Sequence, residues 1–225
     1  MSKKDLPFVK KMMSYLWPIV ILKTSSQANP YLEVAYYKGR FMLNTKRANY
    51  SYGGLHQLFQ IAFKAIHFEK MSPNNLLMLG FGVGSVASII QEEFNKKSIS
   101  ITGVELDPVV IELGKEYFNT QRFSNVEIIC ADAQTYIQQT QKKYDMIVID
   151  IYDDVRVPEK FHTIDFLQQV HEKLNTGGIM LFNKIAYTNQ FYAEFEKIKE
   201  IAGKIFTRVE IVTVLGVNKV IVAHR

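Results

Sequence analysis

The sequence predicts an α/β fold: a mostly parallel, seven-stranded sheet that ends in a C-terminal antiparallel hairpin and follows a small N-terminal antiparallel β extension. Three observations predict it. From residue 76 to about residue 203, apolar strand-like runs alternate with amphipathic helical patterns, as a parallel sheet covered on both faces requires. The chain then closes on two β-rich runs, 207–214 and 219–223, around Gly216-Val217-Asn218. They read as a hairpin, with no second set of strand–helix units. Ahead of the alternation, residues 18–44 hold three short β-rich runs.

The elements follow in order. PIVILK (18–23), YLEVAYY (31–37) and RFMLN (40–44) are the extension's strands, with Lys38-Gly39 as a tight turn. From Gly54 the period changes, and Leu55, Leu58, Phe59, Ala62, Ala65 and Ile66 share one helical face. Residues 1–52 are thus the β extension and 53–225 the main domain. Ser72-Pro73-Asn74-Asn75 breaks the chain before strand 76–80, a helix over 85–94 and strand 100–105. Asp107-Pro108 caps a helix to about Phe118. Strand 126–130 leads to a short helix, and strand 144–150 to a helix within 162–174. Gly177-Gly178 precede strand 179–183, and a last helix spans about 189–203.

Composition sets the limits. With 225 residues, 48% hydrophobic and 22% charged, the chain is one domain or one domain with a small appendage, not a disordered or collagen-like one. The longest apolar run, 12–22, is short of a membrane span and holds Pro18. No cleavage site of small residues follows it, so a cytoplasmic protein without a signal peptide or membrane partner is expected. One cysteine, Cys130, rules out an internal disulfide, and it reads as a buried strand residue. The net charge of +5 is uneven: nine Lys and Arg face Asp5 and Glu33 in the first fifty residues, a local +7 that leaves −2 for the rest. That segment lacks the basic–aromatic interleaving of RNA readers, so no nucleic-acid partner is assigned.

The chemistry gathers at strand ends. Gly80-Phe81-Gly82-Val83-Gly84 lies between a strand and a helix, where glycines allow a ligand's close approach and deliver it to a helix N-terminus. Glu105 ends the next strand and can accept both hydroxyls of an adenosine ribose. This spacing alone leaves a nicotinamide dinucleotide and an S-adenosyl ligand both open. Asp132-Ala133 follow the third strand, where a carboxylate and a backbone N–H can read an adenine edge, and Asp150 ends the fourth. Three carboxylates therefore border one crevice at the carboxyl ends of the strands. His162 and His171 have no partner at metal-ligand spacing, so no metal is assigned. No P-loop is present.

These residues resemble the spermidine synthase family, a branch of the Rossmann-like class I methyltransferase fold. The resemblance rests on GFGVGS (80–85), VELDPVVIELGKEYF (104–118), ADAQTYI (131–137) and YDMIVIDIYDD (144–154), and continues through VPEKFHTIDFLQQVHEKLNTGGIML (157–181). It implies that Gly80, Phe81, Gly82, Val83 and Gly84 line the cofactor, that Glu105 holds ribose with Leu106 also in the cofactor site, and that Asp132 and Ala133 hold adenine. It also implies that Asp150 is the catalytic aspartate, adjoining the cofactor, with Asp153 its partner toward the substrate. Tyr52 and Tyr152 fall on the acceptor side, and a homodimer is expected.

Departures from the family pattern steer the expected reaction. Val83 stands where the family carries an aspartate, Gly53-Gly54 follow Tyr52, and Asp153-Asp154 lack the motif's proline. A diamine dication needs carboxylates to offset its desolvation. The leading expectation is therefore an S-adenosylmethionine-dependent methyltransferase acting on a small-molecule acceptor, with Asp150 as base or orienting carboxylate. The alternatives are an aminopropyltransferase using decarboxylated S-adenosylmethionine with an altered acceptor pocket, and a non-catalytic nucleoside-binding scaffold. A nicotinamide oxidoreductase is disfavoured by the terminal hairpin.

Overall fold

The extension is a four-stranded antiparallel sheet in the order β1-β2-β3-β4, reached through a six-residue helix, α1 (Phe8–Met13). Its strands are β1 (Ile19–Thr24), β2 (Leu32–Tyr37), β3 (Arg40–Asn44) and β4 (Asn49–Ser51). The computed structural model describes residues 6–46, 49–51, 54–214 and 216–225. Lys38 and Gly39 both take positive φ, 49° and 80°, which gives the right-handed twist of a two-residue hairpin turn. The three expected strands are joined by β4, whose three residues are too few to show a periodicity. The expected boundary after Tyr52 lies outside the described residues.

The main sheet has the order β10-β11-β9-β8-β5-β6-β7. Its strands and helices are α2 (Gly54–Ala65), β5 (Asn75–Leu79), α3 (Ser85–Ser88), β6 (Ser100–Glu105), α4 (Pro108–Phe118), β7 (Val126–Cys130), α5 (Ala133–Gln139), β8 (Tyr144–Ile149), α6 (Ile164–Lys173), β9 (Leu174–Ile185), α7 (Asn189–Ile205), β10 (Arg208–Val214) and β11 (Asn218–His224). β5 pairs in parallel with β6 on one side and β8 on the other, while β11 is antiparallel to β9 and β10. The order therefore switches at β5, and the crevice beyond its carboxyl end is where such sheets collect ligands.

Alternate residues of each strand feed two cores. Leu76, Met78, Met146, Val148 and Leu181 pack with Phe59 and Phe63 of α2 on one face. Leu77, Leu79, Ile147, Ile149 and Phe182 pack with Ile137, Phe166 and Phe195 on the other. A third cluster docks the extension: Leu32, Val34 and Leu43 pack on Val83 and on Val110, Leu113, Tyr117 and Phe118 of α4.

Three local expectations differ. The helix expected over 85–94 becomes a π-helix at Ile89–Glu93. Gly177 and Gly178 lie inside the 12-residue β9, not in a loop before it. Gly177 takes φ +76°, and the pairing with β8 shifts by three residues between Leu174 and Ile179, a bulge-like irregularity. Cys130, expected to be buried, is exposed because β7 is an edge strand.

Candidate functional site

The glycine loop is built by close approach. Gly80 takes φ +86°, and a Cβ there would come within 2.2 Å of the Asp150 carbonyl oxygen, so the ends of β5 and β8 touch. The N–H groups of Gly80 and Phe81 both donate to the Val104 carbonyl at 2.9 Å. Gly82 N–H donates to Glu105 Oε2 at 2.8 Å, and Gly84, at φ +88°, opens α3. Gly80 alone of the five lines the cavity beyond the strands. Phe81 fills the space over Gly103, and Val83 turns into the core shared with the extension. Phe81 and Val83 thus hold the loop's shape from behind, which the spacing of the glycines does not reveal.

The cavity holds about 210 Å³ and is walled by Glu105, Leu106, Asp132, Ala133, Asp150, Tyr152 and Asp153, with Ala28, Asn29, Asp107 and Lys160 among the rest. Glu105 is 3% exposed. Its Oε2 takes the Gly82 N–H and its Oε1 the Asp107 N–H at 3.0 Å. A carboxylate has about four acceptor positions, so beyond these N–H groups and that of Leu106 it keeps acceptor capacity for a ribose hydroxyl. Burial pushes the Glu105 carboxyl up, the N–H groups of Asp107 and Gly82 pull it down, and the Asp107 charge adds to the rise.

Asp132 caps α5 through Oδ1, which accepts the Thr135 N–H at 3.0 Å. Its Oδ2 accepts from Lys160 Nζ at 2.5 Å. Burial raises the Asp132 carboxyl, but the Lys160 hydrogen bond and charge and the Thr135 N–H together hold it below the ordinary value. Leu106, more than half exposed, forms the rim.

Asp150 is the perturbed acid of the site. Burial pushes its carboxyl up to about 7; the Asn183 amide, donating to Oδ1 at 2.9 Å, pulls down, and the Glu105 charge pushes up. The Tyr152 hydroxyl donates to the Asn183 carbonyl at 3.2 Å and accepts the Ile185 N–H at 3.0 Å, tying the segment after β8 to β9. Burial and the Asp150 charge both hold the phenol well above its usual range. Asp153 lines the cavity, and its backbone pairs with Arg156. Asp154, at φ 55°, accepts from the Thr45 hydroxyl at 2.8 Å. Tyr52 lies outside the described residues.

The fold thus brings Gly80, Glu105, Leu106, Asp132, Ala133, Asp150, Tyr152 and Asp153 to one cavity. Sequence reasoning missed Asn29, Lys160 and Asn183, and it read Asp107 as a cap alone. Asp107 does cap α4, accepting the Val109 N–H at 2.9 Å, but it also accepts from the Ser26 hydroxyl and, at 2.6 Å, from the Asn29 amide. The β1–β2 loop is thereby fastened over the cavity. Asn183 had a usable signal, since it lies toward the carboxyl end of a parallel strand beside Asp150. Asn29 had none. His56 of α2 is 7% exposed, with Nε2 2.6 Å from Glu93 Oε1.

Comparison with known proteins adds three findings. A family model described as "Spermine/spermidine synthase domain" matches residues 63–215. Among curated proteins, a "Probable polyamine aminopropyl transferase" of Bifidobacterium longum is 33% identical over 110 residues, 49% of this chain and 24% of that protein. A "Polyamine aminopropyltransferase" of Vibrio vulnificus is 28% identical over 137 residues, 60% of this chain and 45% of that protein. The chain spans less than half the length of either relative. Among solved structures, a spermidine synthase in complex with the transition-state analogue AdoDATO superposes with a TM-score of 0.75 at 15% identity, covering 92% of this chain and 73% of that one. That likeness concerns the fold.

Proposed function

The chain belongs to the spermine/spermidine synthase domain family, and from that premise we propose that it transfers the aminopropyl group of decarboxylated S-adenosylmethionine to an amine acceptor. The charge of the cavity carries the proposal. Among its described lining residues, Glu105, Asp107, Asp132, Asp150 and Asp153 face a single cation, Lys160, whose ammonium is already on Asp132. A sulfonium with an ammonium tail suits such a wall. The carboxylate tail of S-adenosylmethionine would enter it with no free cationic side chain among these residues, at the cost that attends an unpaired buried charge.

This reverses the order of the two transferase readings. Val83 weighs less than its place in the motif suggests, because residue 83 packs in the core and the five carboxylates stand without it. The printed names of the two curated relatives support aminopropyl over methyl transfer. The terminal hairpin stands against the nicotinamide reading, as expected.

When bound, the donor supplies an electrophilic carbon on a sulfonium sulfur. Glu105 holds the sugar, while Asp132 and the Ala133 backbone face the base. Asp150, oriented by Asn183, accepts the proton that the acceptor amine loses as its nitrogen forms the new C–N bond. The C–S electron pair leaves with the sulfur. Alignment of nucleophile and carbon supplies much of the acceleration, and proton removal by a positioned carboxylate the next part.

The test is turnover: purified protein is given decarboxylated S-adenosylmethionine or S-adenosylmethionine with a panel of diamines and polyamines, and products are read by mass spectrometry. The expected outcome is 5′-methylthioadenosine and an aminopropylated amine from the decarboxylated donor alone. S-adenosylhomocysteine formed from the other donor would restore methyl transfer, and calorimetric binding of neither would overturn the nucleoside site itself.

A further inference from the structure

The most exposed apolar part of the described chain is the segment before β1, none of whose residues lines the cavity. Phe8, Val9, Met12, Leu16 and Trp17 are 49–75% exposed, and α1 buries none of its residues. Among the described residues, eight of the fourteen large apolar ones that stand exposed fall from Phe8 to Val20, so the patch is concentrated, unlike the scattered exposure of an ordinary surface. Helical turning continues past α1, with the N–H groups of Leu16 and Trp17 both directed to the Met13 carbonyl at 2.9 and 3.3 Å. Phe8, Met12 and Leu16 thus follow one another at helical i, i+4 spacing.

The segment has a fixed place. Ser14 is fully buried, and its carbonyl accepts the Lys38 N–H at 2.9 Å, which pins the segment to the β2–β3 turn. Exposed Lys10 and Lys11 lie within it, and exposed Lys38 and Arg40 flank the pinned turn. No acidic residue occurs among described residues 6–24.

We infer that this face lies on an anionic phospholipid bilayer, with Phe8, Met12, Leu16 and Trp17 at the acyl boundary and the basic side chains among the headgroups. Apolar side chains with a tryptophan, interspersed with lysines, are the composition of an interfacial segment. No helix among the described residues is long and apolar enough to cross a membrane, so the contact is with the surface. A second copy is the poorer occupant: pairing two such faces sets Lys10, Lys11, Lys38 and Arg40 against their own like charges. This inference stands apart from the proposed reaction, which does not use these residues.

Trp17 is the chain's single tryptophan, so intrinsic fluorescence reports on the face directly. The whole protein is titrated with vesicles of phosphatidylcholine, with and without phosphatidylserine, and co-sedimentation is read in parallel. The expected result is a blue shift and sedimentation with the phosphatidylserine vesicles only, reversed by high salt. Lys10→Glu with Lys11→Glu should weaken partitioning by about thirtyfold or more, and Phe8→Ser with Leu16→Ser should abolish the shift. α1 contributes nothing to the core, so both variants should keep the wild-type melting temperature. No response to either vesicle, or an equal response to both, overturns the inference. So does an oligomer that dissociates on Phe8→Ser with Leu16→Ser, since the face is then an interface between copies.

Discussion

Asp150 links proton chemistry to stability in one side chain. Its folded value of about 7 lies above the ordinary 3.8, and burial is the main cause. Ionisation therefore opposes the fold: the penalty is absent below pH about 4, grows as pH rises toward 7 and is constant above it. Asp150→Asn keeps an oxygen for the Asn183 amide and removes the charge. Its expected outcome is a loss of turnover of about 10²–10⁴-fold, a raised melting temperature at pH 8 and an unchanged one near pH 4. Steady-state assays with paired melting curves check both, and a melting temperature that falls at pH 8 would contradict the assignment. Asp150, Glu105 and Asp132 were legible in the sequence because each closes or follows an apolar strand run, and parallel strands send their ends to a common rim. Lys160 was not, because its role comes from a partner 28 positions away that only the packed sheet brings near, and Asn183, 33 positions from Asp150, offered only its place toward a strand's carboxyl end.

The extension acts through its β1–β2 loop. Ser26 and Asn29 both donate to Asp107 Oδ2, Asp107 caps α4 through Oδ1, and its N–H holds Glu105. A loop of the small sheet thus reaches the proposed ribose carboxylate through one intervening aspartate. Asn29→Ala removes a buried hydrogen bond to a charged group, worth about 1.5–3 kcal/mol. The expected outcome is a donor dissociation constant raised about tenfold, with KM rising more than kcat falls. Calorimetry with 5′-methylthioadenosine and a kinetic split of the variant check it; a changed kcat at constant affinity would place Asn29 in the chemistry instead. Apart from the three-residue β4, the strands of both sheets were legible from apolar and β-branched runs, which are local signals. The docking of one sheet on the other was not, since Val83, read as a loop residue facing a ligand, is a core residue shared between them. The bulge at Gly177-Gly178 escaped for a related reason: glycine marks a turn and a bulge alike, and only the β8 partner tells them apart.

Over the whole molecule, charge is sorted against its average. The chain carries +5 overall, yet five carboxylates and one engaged lysine wall the cavity. Composition alone points weakly away from a polycationic ligand, whereas the fold gathers acids from the β6, β7 and β8 ends onto one rim while the surplus of lysine and arginine lies in the first fifty residues. The acid that titrates near neutrality decides how the rim responds to pH. Below about 7 Asp150 is protonated and neutral, and above it the carboxylate adds a negative charge. A sulfonium donor should therefore bind more tightly as pH rises from 6 to 8, by about tenfold at most per unit. The neutral thioether 5′-methylthioadenosine offers the same sugar and base without the positive sulfur, so its affinity should stay level across that window. Calorimetry of both ligands at pH 6 and pH 8 separates the two. Parallel changes would move the titrating group to the nucleoside end, near Glu105, and would leave Asp150 with no electrostatic hold on the reacting centre.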